Sequence, residues 1–117
     1  VPSSTKQPRS LRKSPSRCTE IAHVRREVNR IDATLVRLLG ERQRYALAAA
    51  RFKPDAKSVR RPDHLPAFFA ARAQWAAAAG IDPALVERIF RAITTESVKL
   101  QLERLPAAAK KPKKRVL

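Results

Sequence analysis

From Thr19 to Lys53 the apolar residues Ile21, Val24, Val28, Ile31, Leu35, Leu38, Leu39, Ala46, Ala49 and Phe52 return mostly at steps of three and four. No proline and only one glycine, Gly40, interrupts this stretch, so the pattern predicts one long amphipathic helix. Thr19 is placed to cap it, Glu20 falls in its first turn, and Pro54 ends it at the connection KPDAKSVRRPD. A second helix is predicted from Asp63 to Ala79, built on Leu65, Phe68, Phe69, Ala73, Trp75 and Ala76 and stopped by Gly80. A third opens at Asp82-Pro83 and carries Leu85, Val86, Ile89, Phe90, Ile93, Val98 and Leu100 in helical period to Leu105. Neither a strand alternation nor an internal repeat is present. The expected class is all-α, three helices with a very long first one.

That first helix has a consequence for assembly. About 34 residues at roughly 1.5 Å each give about 50 Å, more than the width of a domain this small. Two shorter helices cannot cover an apolar stripe of that length, so part of it is expected to meet a second chain in an intertwined homodimer. A monomeric three-helix bundle with a bent first helix is the alternative, and a mass measurement separates the two.

Charge changes the picture less than its sum suggests. The chain has 117 residues, one small domain by length, and a formal net charge of +16. Residues 1–17 and 107–117 each hold five Lys or Arg and no acid, leaving +6 for residues 18–106. The organisation expected is a basic disordered tail at 1–17, a helical domain at 18–106 and a second basic disordered tail at 107–117. Neither tail has the apolar core of a secretory signal, and no run is long enough to span a bilayer, so a cytoplasmic protein with no membrane partner is expected. Nucleic-acid binding remains the alternative of a different class. It is disfavoured because the cations gather in the tails, aromatic residues are few and no binding module is evident. Cys18 stands alone, which excludes an internal disulfide and a C-x-x-C site and leaves it a structural role.

The informative cations lie near the apolar face of the first helix. Arg42 and Lys53 are eleven positions apart, about 1,100° of helical rotation, which places them within about 20° of each other on one stripe. Tyr45 and Ala49 lie between them, and no acid of the helix falls on that stripe. Cations facing a core are costly unless paired, and a ligand carboxylate would pair them. Long basic stems reaching from the edge of the face into water are the plainer explanation. Arg25 is about 25 Å and about 100° from Arg42, so only a partner chain can bring it to the same place.

The stretch CTEIAHVRREVNRIDATLVRLLGERQRYALAAARFK resembles the first helix of the all-helical chorismate mutases: arginine, I-D-x-x-L-V-x-L-L, arginine and a closing lysine. The likeness continues through VRRPDHLPAFFAARAQWAAAAGIDPALVERIF to ITTESVKLQ, about residues 18–104. The opening Cys-Thr, Tyr45, Arg-Phe-Lys and Arg-Ala-Gln-Trp-Ala are most similar to the isochorismate-pyruvate lyase branch. The resemblance implies a pericyclic reaction on a small dicarboxylate enol ether, chorismate or isochorismate, with no cofactor and no metal. Chorismate mutase activity, giving prephenate, is the expectation; cleavage of isochorismate to salicylate and pyruvate is the alternative. By resemblance Arg42 holds one carboxylate, Arg25 of the partner subunit holds the second, and Lys53 and Gln101 donate to the ether oxygen. Ser97 faces the same way as Gln101 at i, i+4 and is implied as a carboxylate contact, although a serine bonding back into its own helix accounts for it as well. An exposed, uninvolved Gln101 is equally compatible with the spacing alone. Leu65 stands where many mutases carry a glutamate for the ring hydroxyl, His64 where arginine is usual, and Arg61 where aspartate is common.

Overall fold

The computed structural model describes residues 12–107, and among these there are four α-helices and no strand. We number them α1 (Ile21–Ala49), α2 (Ala56–Arg60), α3 (Leu65–Ala78) and α4 (Pro83–Arg104), with 3-10 turns at Pro15–Arg17 and Ala50–Phe52. Most of the two tails expected at 1–17 and 107–117 lies outside the described residues. The all-helical class and the long first helix stand as expected, with one short addition, α2.

The ends of α1 differ from the expectation. The helix begins at Ile21, two residues after Thr19. The Thr19 N–H donates to His23 Nδ1 at 3.2 Å, and His23 Nε2 lies 3.0 Å from Glu20 Oε1, so this imidazole ties down the entry. At the other end α1 stops at Ala49, the chain tightens into the 3-10 turn, and Lys53 is extended, with φ −114° and ψ 121°. Pro54 causes this, because its ring disfavours helical backbone in the residue before it. The helical rotation that aligned Arg42 with Lys53 therefore does not reach Lys53.

The connection after Pro54 holds a five-residue helix that apolar periodicity is too coarse to reveal. Asp55 caps α2, accepting from the Ser58 N–H at 2.8 Å and the Ser58 hydroxyl at 2.7 Å. Residues 62–64 then form a turn, with the His64 N–H bonded to Arg61 O at 3.0 Å, so α3 starts at Leu65 rather than Asp63. At the end of α3, Gly80 takes φ +73°. Ile81 N–H reaches Ala76 O at 2.9 Å and Gly80 N–H reaches Ala77 O at 3.1 Å, a Schellman closure that requires a left-handed residue at Gly80. Asp82 caps α4 through the Ala84 N–H at 3.0 Å, and Pro83 occupies its first turn.

The chain divides into two compact units, of which residues 12–42 and 43–107 are described. In the first, the apolar positions Ile21, Val24, Val28, Ile31, Leu35, Leu38 and Leu39 are all exposed. The one buried residue of α1 is the acid Glu27, which takes Arg30 Nε at 3.0 Å and has Arg26 Nε at 3.8 Å. In the second unit α4 is the spine, against which α2, α3 and the Ala50–Phe52 turn pack. Val59 of α2 is 1% exposed and Ala76 of α3 is 3% exposed, with Ala50 and Leu105 also buried.

Helix α3 is apolar on nearly every side, and its one cation is accommodated by aromatic rings. Arg72 places its guanidinium carbon 3.5 Å from the Phe68 centroid, 4.9 Å from Trp75 and 5.0 Å from Phe90 of α4, and donates to Phe68 O at 3.1 Å. Phe68 and Phe90 meet edge to face across the α3–α4 contact, with centroids 6.3 Å apart.

Candidate active site

Because Lys53 is extended, its side chain leaves the line of α1 and meets α4. Lys53 Nζ donates to Gln101 Oε1 at 2.9 Å. Gln101 is 5% exposed, one of the two buried polar residues among those described. An ammonium only donates, so the amide oxygen must face it, and the amide NH2 is left to donate elsewhere. The two side chains together thus offer N–H groups from a cation and a fixed amide, the donor types that stabilise negative charge developing on an oxygen. Burial, and then the Arg61 guanidinium, hold the Lys53 ammonium below its usual pKa of 10.5.

Lys53 lines a pocket of about 410 Å³ with Lys57, Arg61, His64, Asp55 and Asp63. That volume lies within the roughly 300–1,000 Å³ usual for small-molecule sites. Asp55 is already committed to the cap of α2. A second cavity of about 640 Å³ lies beside α4, where Leu65, Thr94, Val98 and Leu102 contribute to its lining. Leu65 thus offers this cavity a hydrocarbon, and the buried Thr94 hydroxyl has no hydrogen-bond partner.

Of the residues expected from the sequence, Lys53 and Gln101 are brought into direct contact. Ser97 lies one turn before Gln101 on α4 and is half-buried. Arg25 and Arg42 belong to the other compact unit, Arg25 exposed and Arg42 half-buried on α1. Sequence reasoning missed the pairing of Asp55 with Ser58 and the closeness of Arg61 to Lys53. An Asp three residues before a Ser, just after a proline, was the available signal for the first. The second depends on the turn at Arg61, for which no side-chain pattern speaks.

A lysine and a buried amide joined on an all-helical scaffold, with no strand among the described residues, accord with one family. The family model for chorismate mutase type II matches residues 24–102, and the chain belongs to that family, a class of chorismate-metabolising enzymes. At the level of individual proteins, the chain is similar to an isochorismate pyruvate lyase of Pseudomonas aeruginosa. The two are 38% identical over 81 residues, which is 69% of this chain and 80% of the lyase. No helix among the described residues is long and apolar enough to cross a membrane.

Proposed function

We propose that the protein is a pericyclic enzyme that cleaves isochorismate to salicylate and pyruvate, with rearrangement of chorismate to prephenate as a second activity of the same site. The observation that carries the pericyclic reading is the Lys53–Gln101 contact. Both reactions break an enol ether, and in both the ether oxygen gains negative charge as the C–O bond lengthens. Lys53 Nζ and the Gln101 amide NH2 donate to that oxygen and so favour the transition state over the bound substrate. Arg42 binds one carboxylate in a two-pronged fork, Arg25 of the partner subunit binds the other, and Ser97 adds a hydroxyl contact. Their task is to hold the side chain folded over the ring. No proton shuttle or nucleophile enters this scheme.

The likeness to the isochorismate pyruvate lyase supports placing the lyase first. So does Leu65, a hydrocarbon where a carboxylate would bond a ring hydroxyl. Membership of the mutase family supports retaining the mutase activity. The exposed stripe of α1 supports a homodimer, because seven apolar side chains in helical register have no cover within the described chain.

Purified protein is to be incubated separately with isochorismate, following salicylate fluorescence, and with chorismate, following its loss. Faster turnover of isochorismate is expected. Faster turnover of chorismate reverses the order of the two activities, and turnover of neither rejects the enzyme reading.

A further inference from the structure

The connection between the Ala50–Phe52 turn and α3 gathers three cations and two acids around one pocket. Lys53, Lys57 and Arg61 share the 410 Å³ pocket, and the hydrogen-bond partner of Lys53 is a neutral amide. Arg61 sits at the C-terminal end of α2 with φ 51° and ψ 49°, the one non-glycine residue described with positive φ. This left-handed conformation is the ordinary place for glycine or asparagine and is strained for a residue with a long side chain. Two hydrogen bonds fix it: Arg61 N–H to Lys57 O at 3.0 Å, and His64 N–H to Arg61 O at 3.0 Å. The turn folds the chain so that the residues before α2 and those after it line one pocket. It also sets a guanidinium near enough to Lys53 to disfavour that residue's charge. Strain and like-charge repulsion at one residue are costs to the unliganded protein, and an anion between the two cations removes the second of them.

The chemistry of the substrate says which anion. In an enolpyruvyl ether the carboxylate and the ether oxygen are attached to the same carbon. A donor on the ether oxygen therefore has the carboxylate beside it, and a second cation in the same pocket is placed to receive that group. We propose that Arg61 is a substrate-binding residue whose guanidinium adds a second cation to the enolpyruvyl carboxylate, shared with the arginine already given to that group, while Lys53 and Gln101 serve the ether oxygen. This rests on the reading of Lys53 and Gln101 as the reacting end of the site, and it adds a contact that this chain's own turn supplies.

The charged groups around Lys53 on the connection are Arg61, Lys57, Asp55, Asp63 and His64. Helix α4 presents the neutral Gln101 there, while its Lys99 and Glu103 line the larger cavity. Removing Arg61 therefore takes away the one charge that depresses Lys53.

The test is steady-state kinetics of the full chain with isochorismate and chorismate, across pH, for Arg61→Gly, Arg61→Gln and Arg61→Lys. Glycine suits the left-handed turn, so Arg61→Gly removes the guanidinium while keeping the backbone. We expect KM to rise about tenfold, the loss of one charge-assisted contact, with kcat within about threefold. The alkaline limb of kcat/KM should move to higher pH, and Arg61→Lys should recover most of the lost affinity. If Arg61→Gly fails to keep its far-UV helical signal, the comparison of Arg61→Gln with Arg61→Lys decides by the same criteria. Unchanged KM in the neutral variants, or a fall in kcat with the alkaline limb unmoved, overturns the role of Arg61 while wild-type turnover leaves the function intact. Absence of wild-type turnover together with absence of chorismate binding by calorimetry removes both.

Discussion

Residues 43–107 hold the buried apolar side chains, although Tyr45, Phe52 and Trp75 stay exposed: Val59 is 1% exposed, Ala76 is 3% exposed, and aromatic rings surround the one cation of α3. Residues 12–42 do the reverse along α1, where Leu35 is 53% exposed and Val36 is 67% exposed while a glutamate is buried. Both regions are helical, so the difference is one of partners. In the second unit α2, α3 and the 3-10 turn all fold back onto α4. Among the described residues, the helical stretch of the first has no second α-helix of its own to fold onto. A helix gains most of its stability from packing an apolar face, and an exposed stripe of this length calls for a cover.

The comparison can be broken from either side. The largest effect expected is on activity: Lys53→Ala should lower kcat on the order of 100-fold, read by salicylate or prephenate formation, with the fold intact by circular dichroism. A kcat within a few-fold of wild type rejects Lys53 as the donor to the ether oxygen. Next, Leu35→Glu puts a charge in the exposed stripe. If a second copy covers it, light scattering after size exclusion should show a dimer mass for the wild type, a monomer mass for the variant, and loss of any dependence of Tm on concentration. A wild-type monomer would remove the homodimer and with it the role given to Arg25.

Around the buried residues of the second unit the effects should be smaller. Val59→Ala should cost about 2 kcal/mol in denaturant unfolding, since the side chain is fully enclosed and little can collapse into its place. Asp82→Ala should cost about 1 kcal/mol through loss of the α4 cap. Smallest is a shift along the pH axis. The ammonium form of Lys53 is the one that donates, and its pKa lies below 10.5, so kcat/KM should fall as pH rises through a midpoint below that value. A flat profile up to pH 10.5 would mean that Lys53 is not the titrating donor.

The three longer helices were legible because each holds a long apolar run bounded by local stop signals. Gly80 and Asp82-Pro83 marked the junction of α3 and α4, and Pro54 marked the connection. The error at the end of α1 came from treating Pro54 as the break itself, when its influence falls on the preceding residue and the helix had already tightened at Ala50. That error mattered for the site, since it carried Lys53 along a helical stripe it does not occupy. The contact of Lys53 with Gln101 spans 48 positions and joins two elements, so no local pattern encodes it; it entered through family resemblance. Arg61 stayed hidden for the opposite reason. The role proposed for it depends on a backbone angle that the sequence disguises, because arginine does not advertise a left-handed turn as glycine does.

The placement of the aromatic residues has an optical consequence. The chain's one tryptophan, one tyrosine and four phenylalanines all fall between positions 45 and 90, and none precedes position 43. Trp75, with the Arg72 guanidinium 4.9 Å from its ring, therefore reports by its emission on the environment of α3. The first unit is silent in fluorescence and in the near ultraviolet, yet it holds the only thiol, Cys18. A dye on that thiol and the native indole would give each unit its own colour, and melting curves recorded in the two channels would coincide only if the units unfold together.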